Sequence, residues 1–433
     1  MVVAGPPITV VRRYGSLEFK TIKGFKDILP EEVGQWQRLE SETRRIFQNF
    51  GFKEIRPPLL ERTELFSRGI GQETDIVSKE MYTLRDSKGR GISLRPEATA
   101  SVVRAYIEHR LYQGNPVQKL FTIGPMFRHE RPQKGRFRQF HQINAEVLGD
   151  SGAHSDAEII VMAMFLLKTL GLSGLSLHLN SLGCPICRNE FRRELRKYLS
   201  QKISAFCADC RRRSETNPLR VFDCKVDACK KVVSNAPSIL EFICDDCQAH
   251  FGSVQEYLEG SNIPFVLNHK LVRGLDYYTR TTFEIQTEKL GAQNAVTGGG
   301  RYDGLIKLLG GPDHAGTGFA MGVERLVTLL EEPGTQAAEV PDLYIAALGD
   351  KAERRVFNWV NELRRAGLWV EMGYASKGLK VQMKRADRLG ATKVLIVGED
   401  ELASGKGVLR DMRKRVQEEV ALEAFVTNYS KTV

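Results

Sequence analysis

The stretch from residue 121 to 149, FTIGPMFRHERPQKGRFRQFHQINAEVLG, collects side chains that could bind a flat, anionic ligand. Its pattern predicts two strands joined by a basic loop. Side chains alternate along a strand, so Arg128 and Glu130 share one face of the first strand. On one face, the second strand carries Phe140, Gln142, Asn144 and Glu146. Together, these charged, aromatic and amide groups can clamp a phosphate, stack on a ring and read a small polar molecule. A solvent-facing polar hairpin is the simpler interpretation.

The cysteines form a second group with chemical potential. All eight fall between residues 180 and 250, as three C-x2-C pairs and one C-x4-C pair. In a reducing compartment, such pairs indicate metal ligands rather than disulfides. Eight thiolates suit two tetrahedral structural zinc sites, and free thiols in a domain that has lost its metal are the alternative. The pairs are Cys184 and Cys187, Cys207 and Cys210, Cys224 and Cys229, and Cys244 and Cys247.

Two polar residues stand where a hairpin pattern gives way to a helix pattern, in the string LRPEAT. These residues are Glu97 and Thr99. Unpaired backbone N–H groups gather at a helix start, so either side chain could simply cap the helix. The same N–H groups and the helix dipole also make such a junction a common place for a ligand.

Three further strings contain glycine, hydroxyl groups and arginine. LVRGLDYYTR (271–280) carries Arg273, Tyr277 and Tyr278, and a strand with these residues is unremarkable by propensity alone. GGGRYDGL (298–305) and GTGFAMGVERL (316–326) contain glycines that allow a close backbone approach. Arg325 stands at the start of the helix that follows the second of them.

The elements that must position these residues belong to a chain of several domains, with 433 residues, 42% of them hydrophobic and 27% charged. The net charge of +10 favours nucleic acid as a partner. Residues 188–231 hold thirteen Lys and Arg against six Asp and Glu. Because there is neither a signal peptide nor a run of eighteen apolar residues, we expect a cytoplasmic protein without membrane spans.

Periodicity predicts the main elements around these strings. A helix should run from Pro30 to Phe50, followed by a strand and turn over 51–68. Ser155 and Glu158 resemble a capping box that starts an apolar helix. Beyond a linker at 331–341, short apolar strands alternate with helices, which predicts an α/β domain with a mainly parallel sheet. Basic residues at helical spacing could contact phosphates there: Lys377, Lys380, Lys384, Arg385 and Arg388.

The string MFRHERPQKGRFRQFHQ closely resembles motif 2 of the class II aminoacyl-tRNA synthetases, in the form found in histidyl-tRNA synthetases. Residues 51–68 and 316–326 resemble motifs 1 and 3. LVRGLDYYTR and GGGRYDGL resemble strings specific to the histidyl enzymes, and the resemblance covers about residues 21–430. It implies an α+β fold, with the class II antiparallel sheet flanked by helices, an inserted Cys-rich domain and a C-terminal α/β domain.

The resemblance also implies a division of the chain. The segments are an N-terminal extension (1–20), a catalytic domain (21–175 and 260–330), an insertion domain with the cysteine pairs (176–259), a linker (331–341) and an anticodon-binding domain (342–433). Motif 1 implies a homodimer. The cysteines are absent from many members of the family, so the resemblance leaves the zinc question open.

The implied activity is ATP-dependent attachment of L-histidine to tRNA(His) through histidyl-adenylate, with Mg²⁺ bridging the phosphates of ATP. Carried over residue by residue, Arg128 and Arg273 act on the α-phosphate, and Gln133 meets the end of the tRNA. The implied histidine-binding residues are Glu97, Thr99, Gln142, Glu146, Tyr277 and Tyr278. The implied ATP-binding residues are Arg128, Glu130, Arg136, Phe140 and Arg325.

Two other functions compete with this interpretation. A paralogue of these enzymes serves as the regulatory subunit of ATP phosphoribosyltransferase, but it lacks the anticodon-binding domain and several motif arginines. Both are present in this sequence. Class II synthetases for threonine or proline share the general motifs, and the strings LVRGLDYYTR and GGGRYDGL argue against them.

Overall fold

The computed structural model describes residues 19–72, 74–133, 135–290, 294–330, 340–373, 378–429 and 431. Most of the predicted N-terminal extension and linker, and Lys377, lie outside these ranges. Two compact units divide the chain, Met1–Glu332 and Pro333–Val433. None of the described helices is long and apolar enough to cross a membrane.

The first unit contains eleven described strands and ten described helices. The strands are β1 (Lys53–Glu54), β2 (Leu60–Arg62), β3 (Thr83–Arg85), β4 (Gly91–Leu94), β5 (Gln118–Phe127), β6 (Gln139–Leu148), β7 (Leu175–Ser181), β8 (Phe265–Leu267), β9 (Thr279–Thr287), β10 (Ala295–Arg301) and β11 (Gly316–Gly322). The helices are α1 (Pro30–Asn49), α2 (Thr63–Ile70), α3 (Thr99–Glu108), α4 (Ala153–Thr169), α5 (Pro185–Ser200), α6 (Ala208–Thr216), α7 (Asp227–Val233), α8 (Asp245–Gly260), α9 (Leu305–Leu308) and α10 (Val323–Leu330).

An eight-stranded sheet, in the order β1-β5-β6-β11-β10-β9-β7-β8, organises this unit. The six inner strands pair antiparallel, and one strand at each edge pairs parallel with its neighbour. Strands β2, β4 and β3 form a separate small sheet. The predicted α+β sheet architecture and the two motif 2 strands, β5 and β6, are therefore confirmed.

The main core forms where α1, α4, α8 and α10 cover one face of the large sheet. The predicted helix from Pro30 is confirmed, and it buries Trp36, Leu39 and Phe47. The predicted capping box at α4 is wrong, because the helix already begins at Ala153. The Ser155 hydroxyl donates to Asp150 at 2.5 Å instead, and Glu158 pairs with Lys119. Residues 63–70, expected to form part of a strand and turn, form α2.

The segment predicted as the insertion, 176–259, includes elements at both ends that pack with the main sheet and core. Strand β7 pairs with β9 in the large sheet, so the chain leaves the sheet only after Ser181. Helix α8 packs against α4, and its Phe251, Val254 and Leu258 belong to the main core. Helices α5, α6 and α7 build a separate small core with the short helical turn Pro218–Val221.

The second unit is a five-stranded sheet with helices, in the order β13-β12-β14-β15-β16. The first three of these strands are parallel, as predicted, but the last two pairings are antiparallel. The prediction missed this hairpin, whose turn is held by the Asp411 carboxylate, which accepts from the backbone N–H groups of Arg413 and Lys414. A connection this short can join only antiparallel strands. The elements are β12 (Leu343–Ala347), α11 (Asp350–Arg365), β13 (Val370–Met372), α12 (Leu379–Leu389), β14 (Lys393–Val397), α13 (Glu399–Ser404), β15 (Lys406–Asp411), β16 (Val416–Ala421) and α14 (Leu422–Tyr429).

Candidate active site

A cavity of about 470 Å³ lies over the large sheet of the first unit. Its walls come from β6, β9, β10 and β11, the start of α3, the motif 2 loop and the segment before β9. Of the thirteen residues predicted to bind substrates, all but Gln133 and Glu146 line this cavity. Distant parts of the sequence therefore converge here. The lining residues among those predicted are Glu97, Thr99, Arg128, Glu130, Arg136, Phe140, Gln142, Arg273, Tyr277, Tyr278 and Arg325.

Two half-buried arginines give the cavity its positive character. Arg128 donates from Nε to the Pro96 carbonyl at 2.8 Å, and its guanidinium lies 5.2 Å from the centre of the Phe140 ring. Arg273 donates to a Glu284 carboxylate oxygen at 2.7 Å and lies 6.0 Å from the ring of Tyr278. Each guanidinium is held by one acceptor and one aromatic ring. Planar guanidinium groups held in this way suit the oxygens of a phosphate.

The glycine-rich strand β10 makes room for Arg273. A Cβ built at Gly298 would overlap the Arg273 guanidinium. The side chain can therefore cross the strand only where no side chain stands. This is a physical reason for the first glycine of GGGRYDGL, and it explains how the segment before β9 reaches the cavity.

Glu97 and Thr99 occupy the start of α3, and the simple capping interpretation is realised there. The Glu97 carboxylate accepts hydrogen bonds from the backbone N–H groups of Thr99 at 2.6 Å and Ala100 at 2.9 Å. Burial raises the pKa of Glu97, and these two hydrogen bonds oppose the rise. Capping and ligand binding are compatible, because both side chains also line the cavity.

Glu146 lies beneath the cavity wall rather than on it, with only 1% of its surface exposed. Its carboxylate accepts from the Thr99 hydroxyl at 2.7 Å and from the Tyr302 hydroxyl at 2.5 Å. Burial raises the pKa of Glu146 to about 8, although both hydrogen bonds act to lower it. A Cβ at Gly318 would overlap this carboxylate. The absence of a side chain at this position of β11 therefore leaves room for the Glu146 carboxylate. Contact between Glu146 and an imidazole stays a prediction.

Two amide side chains on β6 are buried with unused hydrogen-bonding capacity. The carbonyl oxygen of Gln142 and both polar atoms of Asn144 have no partner among the described residues. Both residues line the cavity. Buried polar atoms are almost always paired in folded proteins, so these atoms fit a polar ligand that the cavity would receive.

The motif 2 loop folds back across the mouth of the cavity. Gln133 is exposed and exchanges two backbone hydrogen bonds with Arg136, at 3.2 and 2.8 Å. The Arg136 guanidinium pairs with Glu130 at 3.1 Å. Arg325, at the start of α10, donates to the carbonyl of Ala295 at 2.5 Å. Gln133 therefore lies at the tip of the loop, whereas the arginines point to the cavity.

Sequence reasoning missed three side chains of the site. Asn144 lay on the correct strand face but was given no role. Tyr302 lies inside the string GGGRYDGL, and its hydroxyl would have been the only signal for a contact with Glu146. Glu284, the partner of Arg273, follows the histidyl-specific string along β9. A pairing between a known strand residue and a residue far away in sequence leaves no mark in the local pattern.

The eight cysteines separate into two groups of four. We call Cys184, Cys187, Cys244 and Cys247 the neck cluster, and Cys207, Cys210, Cys224 and Cys229 the inner cluster. Within each, all sulfur atoms lie within 4.8 Å of one another, and no cysteine is in a disulfide.

The sulfur spacing matches that of a metal site. Sulfur pairs lie 3.5 Å apart (Cys184 and Cys187), 4.0 Å apart (Cys187 and Cys247) and 3.9 Å apart (Cys207 and Cys224). Zinc–sulfur bonds of about 2.3 Å in a tetrahedron place sulfurs about 3.8 Å apart. The chemistry and spacing of the donors therefore fit zinc.

Comparison with known proteins agrees with this geometry. Residues 24–326 match the family model described as histidyl-tRNA synthetase, and residues 342–432 match that of an anticodon binding domain. The chain is 55% identical over 406 residues to the histidine–tRNA ligase of Desulfatibacillum aliphaticivorans, covering 94% of this chain and 97% of the relative. It is 55% identical to that of Desulfosudis oleivorans, covering 93% and 95%.

Solved structures give the same result. The apo histidyl-tRNA synthetase of S. aureus is 37% identical, with a TM-score of 0.80 over 95% of this chain and all of that one. A Bacillus halodurans protein described as an ATP phosphoribosyltransferase regulatory subunit/histidyl-tRNA synthetase shares the fold, at 19% identity and a TM-score of 0.62, over 89% of this chain and 99% of that one. The family match over both units, and relatives above half identity along almost the whole length, place this chain in the histidyl-tRNA synthetase family.

Proposed function

We propose that this chain attaches L-histidine to tRNA(His) in two steps, using ATP and releasing AMP and pyrophosphate. The observation that carries the proposal is the convergence of Arg128 and Arg273 on one cavity, beside the unpaired amides of Gln142 and Asn144. Such a cavity offers cations to a phosphate and free polar atoms to a small amino acid.

The first step joins the carboxylate of histidine to the α-phosphorus of ATP. A phosphorus–oxygen bond forms, and the bond to the β-phosphate breaks, which releases pyrophosphate. The attacking carboxylate is already ionised, so the protein supplies no base. Its contribution is orientation and stabilisation of negative charge, and Arg128 and Arg273 act on the α-phosphate in this role. Their fixed hydrogen bonds and aromatic neighbours keep them in place before substrate arrives.

The remainder of ATP lies along the mouth of the cavity. Phe140 stacks on the adenine ring, and Arg325 lies against the opposite side of the ring or near the γ-phosphate. Glu130 and Arg136 face the adenine amine and the terminal phosphates. Magnesium neutralises the phosphates when bound, and the carboxylate of Glu80, which also lines the cavity, is an oxygen donor suited to it.

Histidine is selected by buried polar groups. Glu97, Thr99 and Gln142 hold the ammonium group, and Tyr278 and Glu146 hold the imidazole nitrogens. Tyr277 packs against Tyr278, with ring centres 4.7 Å apart, and fixes its orientation. A site that hydrogen-bonds both imidazole nitrogens rejects analogues without them by a factor on the order of 10⁴.

For Glu146 to reach the imidazole, the ligand has to replace or share the hydrogen bond from Thr99. The Thr99 hydroxyl stands between the Glu146 carboxylate and the cavity, since Thr99 lines the wall and donates inward to Glu146. A rotation of this hydroxyl would open the carboxylate to the ligand. Tyr302 would hold the second carboxylate oxygen throughout.

The second step transfers the histidyl group to the terminal adenosine of the tRNA. The tRNA hydroxyl attacks the histidyl carbonyl carbon, the bond from that carbon to the AMP phosphate oxygen breaks, and the hydroxyl proton passes to the departing phosphate. Gln133, at the exposed tip of the motif 2 loop, meets the end of the tRNA. Residues 342–433 bind the anticodon, and helix α12 supports this role with an exposed basic face: Lys380, Lys384 and Arg388.

Both cysteine clusters hold structural zinc in this proposal. Support comes from the sulfur spacing and from backbone N–H groups that point to sulfur. Cys244 donates from its backbone to the Cys187 sulfur at 3.1 Å, and Cys207 donates to the Cys229 sulfur at 3.3 Å. Such hydrogen bonds stabilise thiolates.

The protein acts as a cytoplasmic homodimer. The dimer surface lies at motif 1 and the small sheet, where Leu59, Leu60 and Leu84 are 42%, 44% and 56% exposed. Three large apolar side chains exposed together favour association with a second copy.

Residues 21–181 and 245–330 form the catalytic domain around an insertion.

The experiment that tests the function is pyrophosphate exchange measured with each of the twenty amino acids. Exchange should depend on histidine alone, and Arg273→Ala should abolish it while the circular dichroism spectrum and oligomeric state stay unchanged. Exchange with threonine or proline would assign another class II synthetase. Histidine binding without exchange would assign the regulatory paralogue. Near-normal exchange by Arg273→Ala would refute the role of that arginine.

A further inference from the structure

The insertion contacts the segment that carries Arg273. The Arg220 guanidinium, in the turn Pro218–Val221, donates to the Gly274 carbonyl at 2.6 Å and to the Asp276 carboxylate at 3.2 Å. Asn217 donates to the same Asp276 oxygen at 3.2 Å. The Arg220 side chain is only 15% exposed. The backbone directly after Arg273 is therefore held by the insertion as well as by its own domain.

A second bridge reaches another segment of the cavity wall. Arg213, on α6, pairs with the Asp75 carboxylate at 3.1 Å. Asp75 lines the cavity, as do Arg220 and Asp223 of the insertion. The insertion therefore contributes residues to the wall of the cavity and is tied to two segments of that wall.

The two bridging arginines lie in the chain between the two cysteine pairs of the inner cluster. Cys207 and Cys210 lie at the start of α6, which carries Arg213, and Cys224 directly follows the turn that carries Arg220. The Cys207 and Cys224 sulfurs are 3.9 Å apart. A metal held by these thiolates would fix the spacing between α6 and the turn, and hence between the two bridges.

We propose that a zinc ion in the inner cluster holds the insertion against these two segments of the cavity wall, and that Arg220 is a positioning residue for adenylate formation. Arg220 acts through the 274–276 backbone, which sets the approach of Arg273 to the α-phosphate. This inference rests on the proposed function of Arg273. The metal is thus part of the machinery for activating histidine as well as a support for the insertion's small core.

The test uses the full-length zinc-loaded protein. Wild type should contain two zinc ions per chain, one for each cluster. Arg220→Ala should lower the turnover number for histidine-dependent pyrophosphate exchange by about 10- to 100-fold, because displacements of about 1 Å at a reacting centre cost this much. The dissociation constant for histidine should change by less than about twofold. Arg220→Lys keeps one donor and the charge, and should recover a large part of the turnover.

The matched control is Arg212→Ala. Arg212 is also an insertion arginine, but its side chain is 58% exposed and it pairs with Asp209 within its own helix. This variant should exchange at the wild-type rate. Cys229→Ser should reduce the zinc content to one ion per chain and lower turnover as Arg220→Ala does. If Cys229→Ser does not fold, chelation of the wild type followed by addition of zinc should abolish and then restore turnover.

The possible results separately test the positioning role of Arg220, the role of the metal and the proposed function. Normal turnover by Arg220→Ala, or by a Cys229→Ser protein with one zinc ion, would overturn the positioning role. Wild-type protein that is purified without zinc and is fully active would refute the proposed role of the metal. A zinc-loaded wild type without histidine-dependent exchange would refute the proposed function instead, because the inference concerns only variants of an active enzyme.

Discussion

Replacing Glu146 by glutamine should make the protein less sensitive to alkaline pH. Burial raises the pKa of Glu146 from 4.5 to about 8, and the hydrogen bonds from Thr99 and Tyr302 only partly oppose this. Between these two values, the folded protein keeps a proton that the unfolded chain has released. The folded state therefore binds more protons, and the free energy of unfolding falls as pH rises through this window. Glutamine does not titrate, so Glu146→Gln removes the slope.

The magnitude follows from the size of the shift. One proton of difference changes the free energy of unfolding by about 1.4 kcal/mol per pH unit. The difference is nearly complete at pH 6 and about half complete at pH 8. Wild type should therefore lose about 2 kcal/mol between pH 6 and pH 8 relative to Glu146→Gln. For a unit of this size, this corresponds to about 3–5 °C in melting temperature.

The assay is thermal unfolding of both proteins at pH 6, 7 and 8, without substrates. The melting temperature of Glu146→Gln should gain on the wild type as pH rises. Glu256→Gln, at an exposed glutamate on α8, is the control and should follow the wild type at every pH. An equal difference between Glu146→Gln and wild type at pH 6 and pH 8 would refute the reasoning, because a raised pKa requires the difference to grow.

Two further substitutions test the packing of the site. Gly298→Ala should reduce pyrophosphate exchange by about 100-fold, because the new Cβ displaces the Arg273 guanidinium. The control is Gly252→Ala, whose Cβ would meet nothing within 4 Å. Wild-type exchange by Gly298→Ala would contradict the passage of Arg273 over Gly298. Tyr302→Phe removes a donor to the buried Glu146 carboxylate, so the KM for histidine should rise by about tenfold with a smaller change in kcat. An unchanged KM would show that Tyr302 does not act through Glu146.

Much of the site could be predicted from the sequence because its main strands are long and regular. Alternation along β6 placed Phe140, Gln142 and Asn144 on one face, and the structure confirms that all three line the cavity. Periodicity also gave α1, and the glycine-rich strand gave Arg325 at the start of a helix. These features depend on local spacing, which the sequence displays directly.

Other features depend on contacts between distant segments. The sequence shows four cysteine pairs, but the choice of which pairs combine is made by the fold. The position of Glu146 beneath the wall depends on Thr99 and Tyr302, which come from two other elements. The crossing of Arg273 over Gly298 likewise requires the segment before β9 to lie against β10. Contacts of this kind produce no periodic pattern and no local motif in the sequence.

The predicted bounds of the insertion rest on composition, which does not display how the elements at its two ends pack. Composition changes near the first cysteine, but the strand before it is short and its pairing partner comes about a hundred residues later. Helix α8 has apolar residues that would suit either core, and the fold assigns Phe251 to the main one. Motif resemblance gave the order of the domains but not their edges.

The start and end of the Cys-rich insertion lie close together, which has a consequence for protein engineering. Gly183 and Ile243 are neighbours, since a Cβ at Gly183 would lie 3.6 Å from the Ile243 side chain. Excision of residues 184–243 would thus need only a very short joint and would spare α8, whereas excision at the composition boundary would remove β7 and part of the main core. The activity of such a shortened variant would show how much histidine activation the large sheet supports without the insertion. A different domain could also be inserted at the same joint.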